Sequence, residues 1–415
     1  MLQNSTQKNP PLKTDLLIGG GSYVGLSIAI AVKQACPFLN VTLVERAAFN
    51  SFQKDPRSFA IAAAAVRMLR QLDCWETIEK DAQPIKKMII TDSKVSQAIR
   101  PVFLNFDGDV KENEPFAFMV ETKALIGILQ KKATALGVHL CYEKSIINFA
   151  QDNNNVSAQL DDNTKITAKL LVAADGANSK LRACSGIKTA QWDYNQMGIV
   201  CTVRHERPHE GVAIEHFLPA GPFAILPLKN NRSSLVWNEE TNYAQKLLKA
   251  DPFIFEDELE RRFGHHLGEI SLEGPRFAFP FGLTLARSFI GPRFALAGDA
   301  AHRIHPISGQ GLNLGFRDSA ALSEIIVNTA RLGLDIGSIT QLEKYQKWRR
   351  YETVRMGMTT DILNRLFSND SSLLRFIRDI GLGLVERTPQ LKKYFIQEAA
   401  GFSKNTPKLL LGLPL

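Results

Sequence analysis

A turn of small residues near the start of the chain has the composition and spacing of a nucleotide-binding loop. Gly20, Gly21, Ser22 and Gly25 follow a short apolar segment, residues 15–18, and precede apolar residues at helical spacing. Glycines permit a tight turn and let the backbone approach a pyrophosphate, while the helix start offers free N–H groups and a positive dipole end. The loop therefore predicts binding of a phosphate-bearing cofactor.

Glu45 completes this pattern, because it ends the next apolar segment, residues 41–44, 20 positions after Gly25. Strand, glycine turn, helix, strand and distal acid form the layout of a βαβ dinucleotide-binding unit. The carboxylate can accept hydrogen bonds from both ribose hydroxyls and would repel a 2′-phosphate, so FAD or NAD is favoured over NADP. Counted back from Gly25, the fingerprint G-x-G-x-x-G has Ser22 at its second glycine position.

Two later segments also place an acid where an apolar run ends. Residues 169–182 contain Asp175 before a turn that leads to Arg182, and residues 294–315 contain Asp299 before a glycine-rich helix start. An Asp at the carboxyl end of a strand can hydrogen-bond a chain of sugar-like hydroxyls. The N–H groups of the glycine-rich helix start can point at an electron-rich ring edge.

In this order the three segments resemble the FAD-dependent aromatic hydroxylases, or class A flavoprotein monooxygenases. The motifs are the glycine loop with its distal Glu, then ADG-x-x-S-x-x-R, then GDAAH-x-x-x-P-x-x-GQG-x-N-x-G. The family pattern has Gly where this chain has Ser22. Within the class, the chain looks most similar to the ubiquinone-biosynthesis hydroxylases of the 2-octaprenyl-6-methoxyphenol hydroxylase type. The supporting residues are 55–58, 72–75, 221–228, 366–370 and 381–385.

The resemblance implies an α/β fold, with a doubly wound, Rossmann-like FAD domain, an inserted mainly β substrate domain and a helical C-terminal region. We expect the FAD domain in residues 15–195 and 291–335, with the substrate sheet in residues 196–290 between them. Residues 336–415 would form the helical region, and residues 1–14 a disordered start. Strand-like segments at 197–203, 213–218, 223–228, 234–237 and 277–281 agree with this division.

The same resemblance implies the chemistry. NADH or NADPH reduces FAD, reduced FAD reacts with O₂, and the resulting flavin hydroperoxide transfers an oxygen atom to the ring of a prenylated phenol. Two alternatives stay open: a non-catalytic flavoprotein scaffold of a quinone-biosynthesis protein complex, or another FAD-dependent oxidoreductase of the same fold. The motif W-x-W-x-I-P of the flavin-dependent halogenases, which share this fold, is absent from the sequence, and this argues against a halogenase.

Residue by residue, the resemblance predicts which side chains and backbone groups hold FAD. They are Gly20, Gly21, Ser22 and Gly25 at the pyrophosphate, Glu45 at the adenosine ribose, Arg57 on the flavin side, Asp299 at the ribityl or pyrophosphate region, Asp175 and Arg182 from the second fingerprint, and Gly309, Gly311, Leu312 and Asn313 at the flavin ring. A surface salt bridge is the alternative role for Arg57. A turn clamp is the alternative for Asp175 and Arg182.

Two residues of the Pro-bearing loop are candidates for the reaction itself. Pro306 would shape the loop over the flavin ring, and His305 is a candidate proton relay for the phenol, with loop structuring as its alternative. His302 and His305 are also three positions apart, yet no third ligand lies nearby and Pro306 breaks a helix there. We therefore expect no metal site.

Composition limits the remaining classes of function. The 415 residues include 50 Lys and Arg against 42 Asp and Glu, a net charge of +8, and 45% are apolar, as in globular proteins. Cysteines are odd in number and widely spaced, so a reducing, cytoplasmic compartment is expected. We expect no nucleic-acid partner. Residues 16–32 are apolar, but their glycines suit the strand–turn–helix better than a membrane span.

The C-terminal region carries a candidate membrane-contact surface. Its residues 335–415 contain 13 Lys and Arg against 8 Asp and Glu. An amphipathic basic helix can lie in the interface of an anionic bilayer. The predicted apolar stripe is Leu373, Leu374, Phe376, Ile377, Ile380 and Leu384, flanked by Arg375, Arg378 and Arg387. It predicts peripheral contact with the inner face of the membrane, with packing on the protein's own core or on a partner subunit as the alternative.

Overall fold

The structure, a computed structural model, describes residues 12–92, 102–107, 110–111, 114–306, 309–368, 388, 390, 396–403 and 405–415. In chain order its strands are β1 (Leu12–Lys13), β2 (Leu16–Gly19), β3 (Val41–Glu45), β4 (Ser58–Ala62), β5 (Gln83–Ile85), β6 (Lys87–Asp92), β7 (Val102–Asp107), β8 (Ala117–Glu121), β9 (His139–Tyr142), β10 (Ile146–Gln151), β11 (Val156–Leu160), β12 (Lys165–Ala168), β13 (Leu170–Ala173), β14 (Thr189–His205), β15 (Val212–Leu218), β16 (Gly221–Leu228), β17 (Arg232–Glu240), β18 (Ile270–Ala286), β19 (Ile290–Gly291), β20 (Phe294–Leu296) and β21 (His302–Arg303). Its α-helices are α1 (Tyr23–Ala35), α2 (Ala63–Gln71), α3 (Trp75–Ile78), α4 (Thr122–Ala135), α5 (Lys180–Cys184), α6 (Thr241–Lys249), α7 (Pro252–Phe263), α8 (Gln310–Arg331), α9 (Ile339–Phe367) and α10 (Lys408–Leu411). Short 3₁₀ helices cover Ser51–Lys54, Glu79–Asp81 and Gly298–Ala300.

A sheet of six strands forms the centre of the nucleotide-binding part, in the order β19-β20-β13-β2-β3-β9. β2 pairs in parallel with β3 on one side and with β13 on the other. Parallel neighbours require a crossover connection, and α1 supplies the one between β2 and β3. Leu16, Leu17 and Ile18 of β2 are fully buried, as expected for a parallel strand that is covered on both faces. The predicted doubly wound α/β fold is confirmed.

A second sheet has eight strands, in the order β21-β18-β14-β17-β16-β15-β6-β7. β14 and β18, each 17 residues long, form its longest antiparallel pair. Alternate side chains of this sheet, including Ile199, Phe223 and Trp237, form a separate core with Phe255 and Leu259 of α7. The opposite face of the sheet is the one that carries the candidate site. The predicted mainly β insertion is therefore present.

The eight-stranded sheet extends beyond the predicted segment 196–290. β14 already begins at Thr189, and β6 and β7 join the sheet from the preceding segment. β15 pairs in parallel with β6, and Glu215 lies opposite Ile90 in this pairing. These strands are far apart in the chain, so local sequence patterns give no sign that they pair.

The beginning of the described chain is also more ordered than predicted. Leu12 and Lys13 pair in parallel with Ile166 and Thr167, which adds β1 to the four-stranded sheet β1-β12-β11-β10. Thr14 continues this contact, because its N–H donates to the Thr167 carbonyl at 2.9 Å. The expected disordered start is therefore wrong for residues 12–14, and residues 1–11 lie outside the described part.

The predicted helical C-terminal region is present in the described residues as α9, 29 residues long, and α10. The apolar stripe predicted for residues 373–384 lies outside the described residues. Within the part of the chain that the structure describes, no helix combines the length and the apolar character that crossing a bilayer requires.

The turn from β2 into α1 brings backbone segments too close together for side chains. Gly20 has a φ of +116°, and a Cβ on it would overlap the carbonyl of Ala174. A Cβ on Gly25 would overlap the carbonyl oxygen of Gly20. Ser22 has a φ of −86° and is exposed, so its side chain causes no strain. Glycine is thus required at positions 20 and 25 but not at position 22.

We expect Gly25→Ala to destabilise the protein and to reduce its retention of FAD, because the added methyl group would overlap the Gly20 carbonyl oxygen. Overpacking of this kind costs about 1–3 kcal/mol, although alanine by itself favours a helix. The measurements are the free energy of unfolding and the FAD bound after purification. Gly291→Ala is the matched control, since the atom nearest to its Cβ would be 3.8 Å away. Equal results for both variants would contradict this account of the turn.

Candidate functional site

One cavity of about 970 Å³ joins the carboxyl ends of β2 and β3 to a face of the eight-stranded sheet. Its wall also includes Asp299, which lies in the 3₁₀ turn Gly298–Ala300, and the start of α8. Most of the predicted site residues line it: Gly20, Gly21, Ser22, Glu45, Arg57, Asp175, Asp299, Pro306, Gly309, Gly311, Leu312 and Asn313. Gly25, Arg182 and His305 are not part of the wall.

Glu45, at the carboxyl end of β3, has a carboxylate that binds the glycine turn. Its Oε2 accepts a hydrogen bond from the N–H of Gly21 at 2.6 Å, and its Oε1 accepts one from the N–H of Ala47 at 2.8 Å. A Cβ on Gly21 would lie 2.8 Å from the Glu45 Cβ, so glycine permits this approach. Each oxygen retains a second lone pair. The geometry is therefore compatible with the predicted ribose contact.

Asp299 lies in the 3₁₀ turn that follows β20 and borders the cavity. Burial raises the pKa of its carboxyl above its ordinary value, and the nearby charges of His302 and Arg303 oppose that shift. Among the described residues, no N–H or O–H group donates a hydrogen bond to this carboxylate. Hydroxyl groups of a ligand would supply the missing donors, which agrees with the predicted role at the cofactor's sugar-like chain.

A fully buried carboxylate holds this turn in place. Asp318 of α8 accepts hydrogen bonds from the Gly298 N–H at 2.9 Å and from His302 Nε2 at 2.5 Å. Its other oxygen accepts from Arg349 Nε at 2.8 Å. Burial alone would raise the pKa of Asp318, but His302 and Arg349 together lower it, so the carboxylate stays ionised. The Asp299 turn is thereby tied to both α8 and α9.

Neither histidine of the predicted loop borders the cavity. His302 belongs to the Asp318 network. His305 is fully buried, and its ring packs edge-on against Tyr194 and Phe281 with centroid separations of 5.1 and 5.0 Å. Burial lowers the pKa of His305 to about 4, so its imidazole is neutral at pH 7. The position of His305 fits loop structuring, and its role as a proton relay stays a prediction. Within the described residues, no group of three His, Cys, Asp or Glu side chains could hold a metal ion.

The 22-residue helix α8 begins at the cavity wall. Gly309 precedes it with a φ of +61°, a left-handed conformation that favours glycine. Asn313 accepts a hydrogen bond from the Ala62 N–H at 2.9 Å and donates one to the Ala60 carbonyl at 3.0 Å, so its side chain anchors β4. A Cβ on Gly311 would meet no atom within 4 Å. The first turn is therefore open, and its dipole suits an electron-rich ring edge.

Arg57 borders the cavity, but its guanidinium already has an ionic partner. It donates to the two carboxylate oxygens of Asp55 at 2.9 and 2.6 Å and lies over the rings of Phe59 and Phe279 at 5.6 and 5.5 Å. This geometry matches the salt-bridge alternative. A contact with the flavin side stays a prediction.

Asp175 and Arg182 stabilise a turn. The carboxylate of Asp175 accepts from the Ser179 hydroxyl at 2.5 Å. Arg182 donates to the Ala177 carbonyl at 3.0 Å and to the Ala300 carbonyl at 2.8 Å, which joins this turn to the Asp299 turn. Both residues thus act as the turn clamp that was the alternative role. Asp175 also borders the cavity and stays a candidate for cofactor contact, whereas Arg182 positions the turn.

Two buried polar residues on the sheet face of the cavity wall were not identified from the sequence. Glu215 on β15 is 6% exposed, and Asn238 on β17 is 3% exposed. Each lies in a strand whose apolar and polar residues alternate, and this alternation was the signal available in the sequence. Alternation separates the two faces of a strand, but it does not reveal which face borders a cavity. Their importance depends on the pairing of the sheet.

The wall as a whole fits FAD. The glycine turn admits no Cβ atoms, a carboxylate stands at the end of β3, and a helix N-terminus opens onto the same cavity. The far end of that cavity is the apolar sheet face, so a cofactor anchored at the glycine turn has room to extend toward a second ligand.

We expect Asp318→Asn to lower the free energy of unfolding by about 3–5 kcal/mol, because it removes the fully buried charge partner of Arg349. FAD should also bind more weakly, since the Gly298 turn is held by the same carboxylate. Chemical unfolding and flavin titration measure the two effects. Asp257→Asn removes an exposed partner of Arg261 and should change stability by less than about 1 kcal/mol. A similar change in both variants would show that the buried network is not important for the site.

Comparisons with known proteins agree with the motifs and the geometry. Residues 13–350 match the family described as FAD binding domain. The chain is 40% identical to ubiquinone hydroxylase UbiL of Rhodospirillum rubrum, over 97% of this chain and 93% of that protein. It is 32% identical to 3-demethoxyubiquinol 3-hydroxylase of Escherichia coli, over 94% and 98% of the two chains.

A solved structure shows the same fold. p-Nitrophenol 4-monooxygenase PnpA from Pseudomonas putida superimposes with a TM-score of 0.79 over 95% of this chain and 100% of that chain, at 17% identity. The family match, the 40% identity and the cavity that fits FAD together identify the chain as a member of the ubiquinone-biosynthesis hydroxylases, a branch of the FAD-dependent aromatic-ring monooxygenases.

Proposed function

We propose that the protein hydroxylates the aromatic ring of a prenylated phenol in ubiquinone biosynthesis, with NADH or NADPH as reductant and O₂ as oxygen source. The observation that carries this proposal is that one cavity joins the cofactor cradle to an apolar sheet face. A ring placed against that face shares the cavity with the flavin end of the cofactor. The apolar wall also keeps water away from the reacting atoms.

The names of two relatives support the substrate class. The Rhodospirillum rubrum relative is named a ubiquinone hydroxylase, and the Escherichia coli relative is named a 3-demethoxyubiquinol 3-hydroxylase. Both names describe hydroxylation of a quinone or quinol. The wall formed by Val200, Ala224, Leu226 and Val236 is apolar, as binding of such a ring and its prenyl substituent requires.

When bound, FAD carries electrons from NAD(P)H to O₂ and transfers one oxygen atom to the ring. The chain's own residues bind and orient. We assign Gly20, Gly21 and Ser22 to the pyrophosphate, with Gly25 allowing the turn. Glu45 would take the adenosine ribose and Asp299 the ribityl chain. The first turn of α8 would face the flavin ring, below the loop shaped by Pro306.

We further propose that the protein is cytoplasmic and meets its substrate at the inner face of the membrane or within a quinone-biosynthesis complex. A polyprenylated phenol is too apolar to diffuse through water, so it must be collected from a lipid or protein carrier. The excess of basic residues in segment 335–415 supports contact with an anionic surface, where each Lys or Arg adds about 1 kcal/mol.

We expect the purified, FAD-loaded protein to oxidise NADH or NADPH faster when prenylated phenols are added, and to form a product heavier by one oxygen atom. Mass spectrometry after reaction under isotopically labelled O₂ checks the origin of that atom. A flavin that is reduced and reoxidised with peroxide as the sole product, for every phenol tried, would favour another FAD-dependent oxidoreductase of the same fold. A bound flavin that neither NADH nor NADPH reduces would favour the scaffold alternative.

We expect full-length protein to sediment with anionic liposomes at low salt and to be released at high salt, because surface charge attraction is screened. Truncation at Asp370 should weaken the association. Neutral liposomes serve as the control. Protein that remains in the supernatant with anionic vesicles at low salt would favour delivery of the substrate by a protein partner.

A further inference from the structure

Across β14–β17, the sheet face that borders the cavity is apolar except at two positions. Strand register places Glu215, Ala224, Val236 and Val200 in one row across β15, β16, β17 and β14. Because side chains alternate along a strand, this row lies opposite the core that packs on α6 and α7. Glu215 and Asn238 are the polar members of an otherwise apolar group of strand residues.

Glu215 is a buried carboxyl group without a polar partner among the described residues. It is 6% exposed, and among the described residues it makes no hydrogen bond or ion pair. Burial raises the pKa of Glu215 to about 7, and no neighbouring charge of the described residues contributes to that shift. Buried polar groups are nearly always hydrogen-bonded, so a group of this kind in a cavity wall indicates a ligand.

Asn238 presents a second unmatched polar group on the same face. Its side-chain Nδ2 is buried and has no hydrogen-bond partner among the described residues. Asn238 lies on β17, two strands away from the β15 strand that carries Glu215. It is two residues beyond Val236, the β17 residue that is level with Glu215. Strand spacing and rise therefore put the two Cα atoms roughly 12 Å apart. Two side chains at that separation can reach opposite edges of one aromatic ring.

On the basis of the proposed function, we propose that Glu215 is a catalytic residue that accepts the proton of the substrate's phenol hydroxyl. Asn238 donates a hydrogen bond to a second oxygen substituent of the same ring. Of the other charged groups of the cavity wall, Arg57 is paired with Asp55, and Asp299 lies at the cofactor end.

The proton transfer balances without any further reactant. As a ring carbon bonds to the oxygen atom that the cofactor delivers, the phenol O–H bond breaks and an O–H bond forms on the Glu215 carboxylate. The freed electron pair enters the ring and increases its nucleophilicity. Delivery of the oxygen atom would break the O–O bond of the donor. The hydrogen on the oxygenated carbon leaves as a proton, which the donor oxygen that stays with the cofactor would take up. As aromaticity returns, the Glu215 carboxyl returns its proton to the ring oxygen.

The surroundings of Glu215 determine the expected pH dependence. The strands packed around it, β6, β16 and β17, contribute Met88, Ala224 and Val236 to the same wall, and none of these titrates. Arg57, Asp299 and Arg303 also border the cavity, but their charges do not contribute to the shifted pKa of Glu215. A base must be ionised to accept a proton, so hydroxylation should rise as the pH increases through about 7.

The first test is Glu215→Gln, which keeps the shape of the side chain and removes the base. We expect kcat for hydroxylation to fall about 100-fold or more and the rise with pH near 7 to disappear. FAD content should be unchanged, because Glu215 is remote from the glycine turn. Glu240→Gln, on the exposed end of β17, is the matched control and should behave as wild type. Unchanged kcat and pH profile in Glu215→Gln would overturn the proposal.

A second test does not depend on turnover. Difference infrared spectra of the FAD-loaded protein without substrate should show one protonated carboxyl at pH 6 that ionises by pH 8. That signal should be missing from Glu215→Gln and present in Glu240→Gln. A spectrum without it would overturn the role of Glu215 even if hydroxylation is confirmed. If hydroxylation fails while the signal is present, the proposed function is wrong, but the assignment of Glu215 as a buried carboxyl group that is protonated at pH 6 is confirmed.

Stability separates a functional group from a structural one. Folding raises the pKa of Glu215 to about 7, so the protonated carboxyl favours the folded protein. Stability is therefore lost as the pH rises from the ordinary pKa of a glutamate to about 7. Relative to Glu215→Gln, wild type should therefore become less stable over that interval and stay constant above it. A Glu215→Gln variant that is less stable than wild type at pH 8 would indicate a structural role and overturn the proposal.

Ligand binding tests the second contact. A short-chain prenylated methoxyphenol should perturb the flavin spectrum of the wild type, and its methyl ether, which lacks the donor, should bind at least tenfold more weakly. Asn238→Leu should raise KM for the methoxyphenol and leave KM for the phenol without methoxy unchanged. Equal losses for both phenols would overturn the role of Asn238 in recognising the second oxygen.

Discussion

The buried carboxylate of Asp318 is the interaction on which the geometry of the site depends. It is inaccessible to solvent, yet it is ionised, because a histidine from the 298–305 loop and an arginine from α9 both bind it. The same oxygen that binds His302 also accepts the Gly298 N–H, so the turn that carries Asp299 cannot move independently of α8 and α9. A charge that needs three partners in fixed places is a strong constraint on three chain segments. The cost of burying that charge explains why the partners come from separate elements that all pack at one point.

The second constraint is the pairing that builds the eight-stranded sheet. Its two faces serve different purposes: one packs on α6 and α7, and the other closes the far end of the cavity. A chain that binds a flavin through the glycine turn and the start of α8 needs a second surface to hold a ring nearby. The sheet supplies that surface as a nearly uniform apolar wall. Across β14–β17 this wall is interrupted by one carboxyl and one amide, so a ring held against it meets few polar groups.

Much of the site follows from local sequence. The glycine turn, Glu45, the Asp299 turn and the first turn of α8 all belong to short motifs, and each borders the cavity as its spacing predicts. The sequence was less informative about side chains whose partners are distant. Arg182 belongs to a motif but is used to clamp a turn through the Ala300 carbonyl, and His305 packs between two aromatic rings. Their residue types suggested chemistry, whereas the contacts that the structure gives them are with backbone and aromatic groups of the protein itself.

What the sequence by itself determined is the fold class, the cofactor and the cofactor cradle, because these depend on residues close together in the chain whose spacing reflects backbone geometry. Only the tertiary structure decided which side chains face the substrate end of the cavity. Glu215 looks like an ordinary strand residue until β15 pairs with β16 and with β6 from a distant segment. That pairing removes the carboxyl from water and surrounds it with apolar side chains, and burial then moves its pKa to about 7. Burial is a property of the packed structure, so no local pattern of residues could have revealed it.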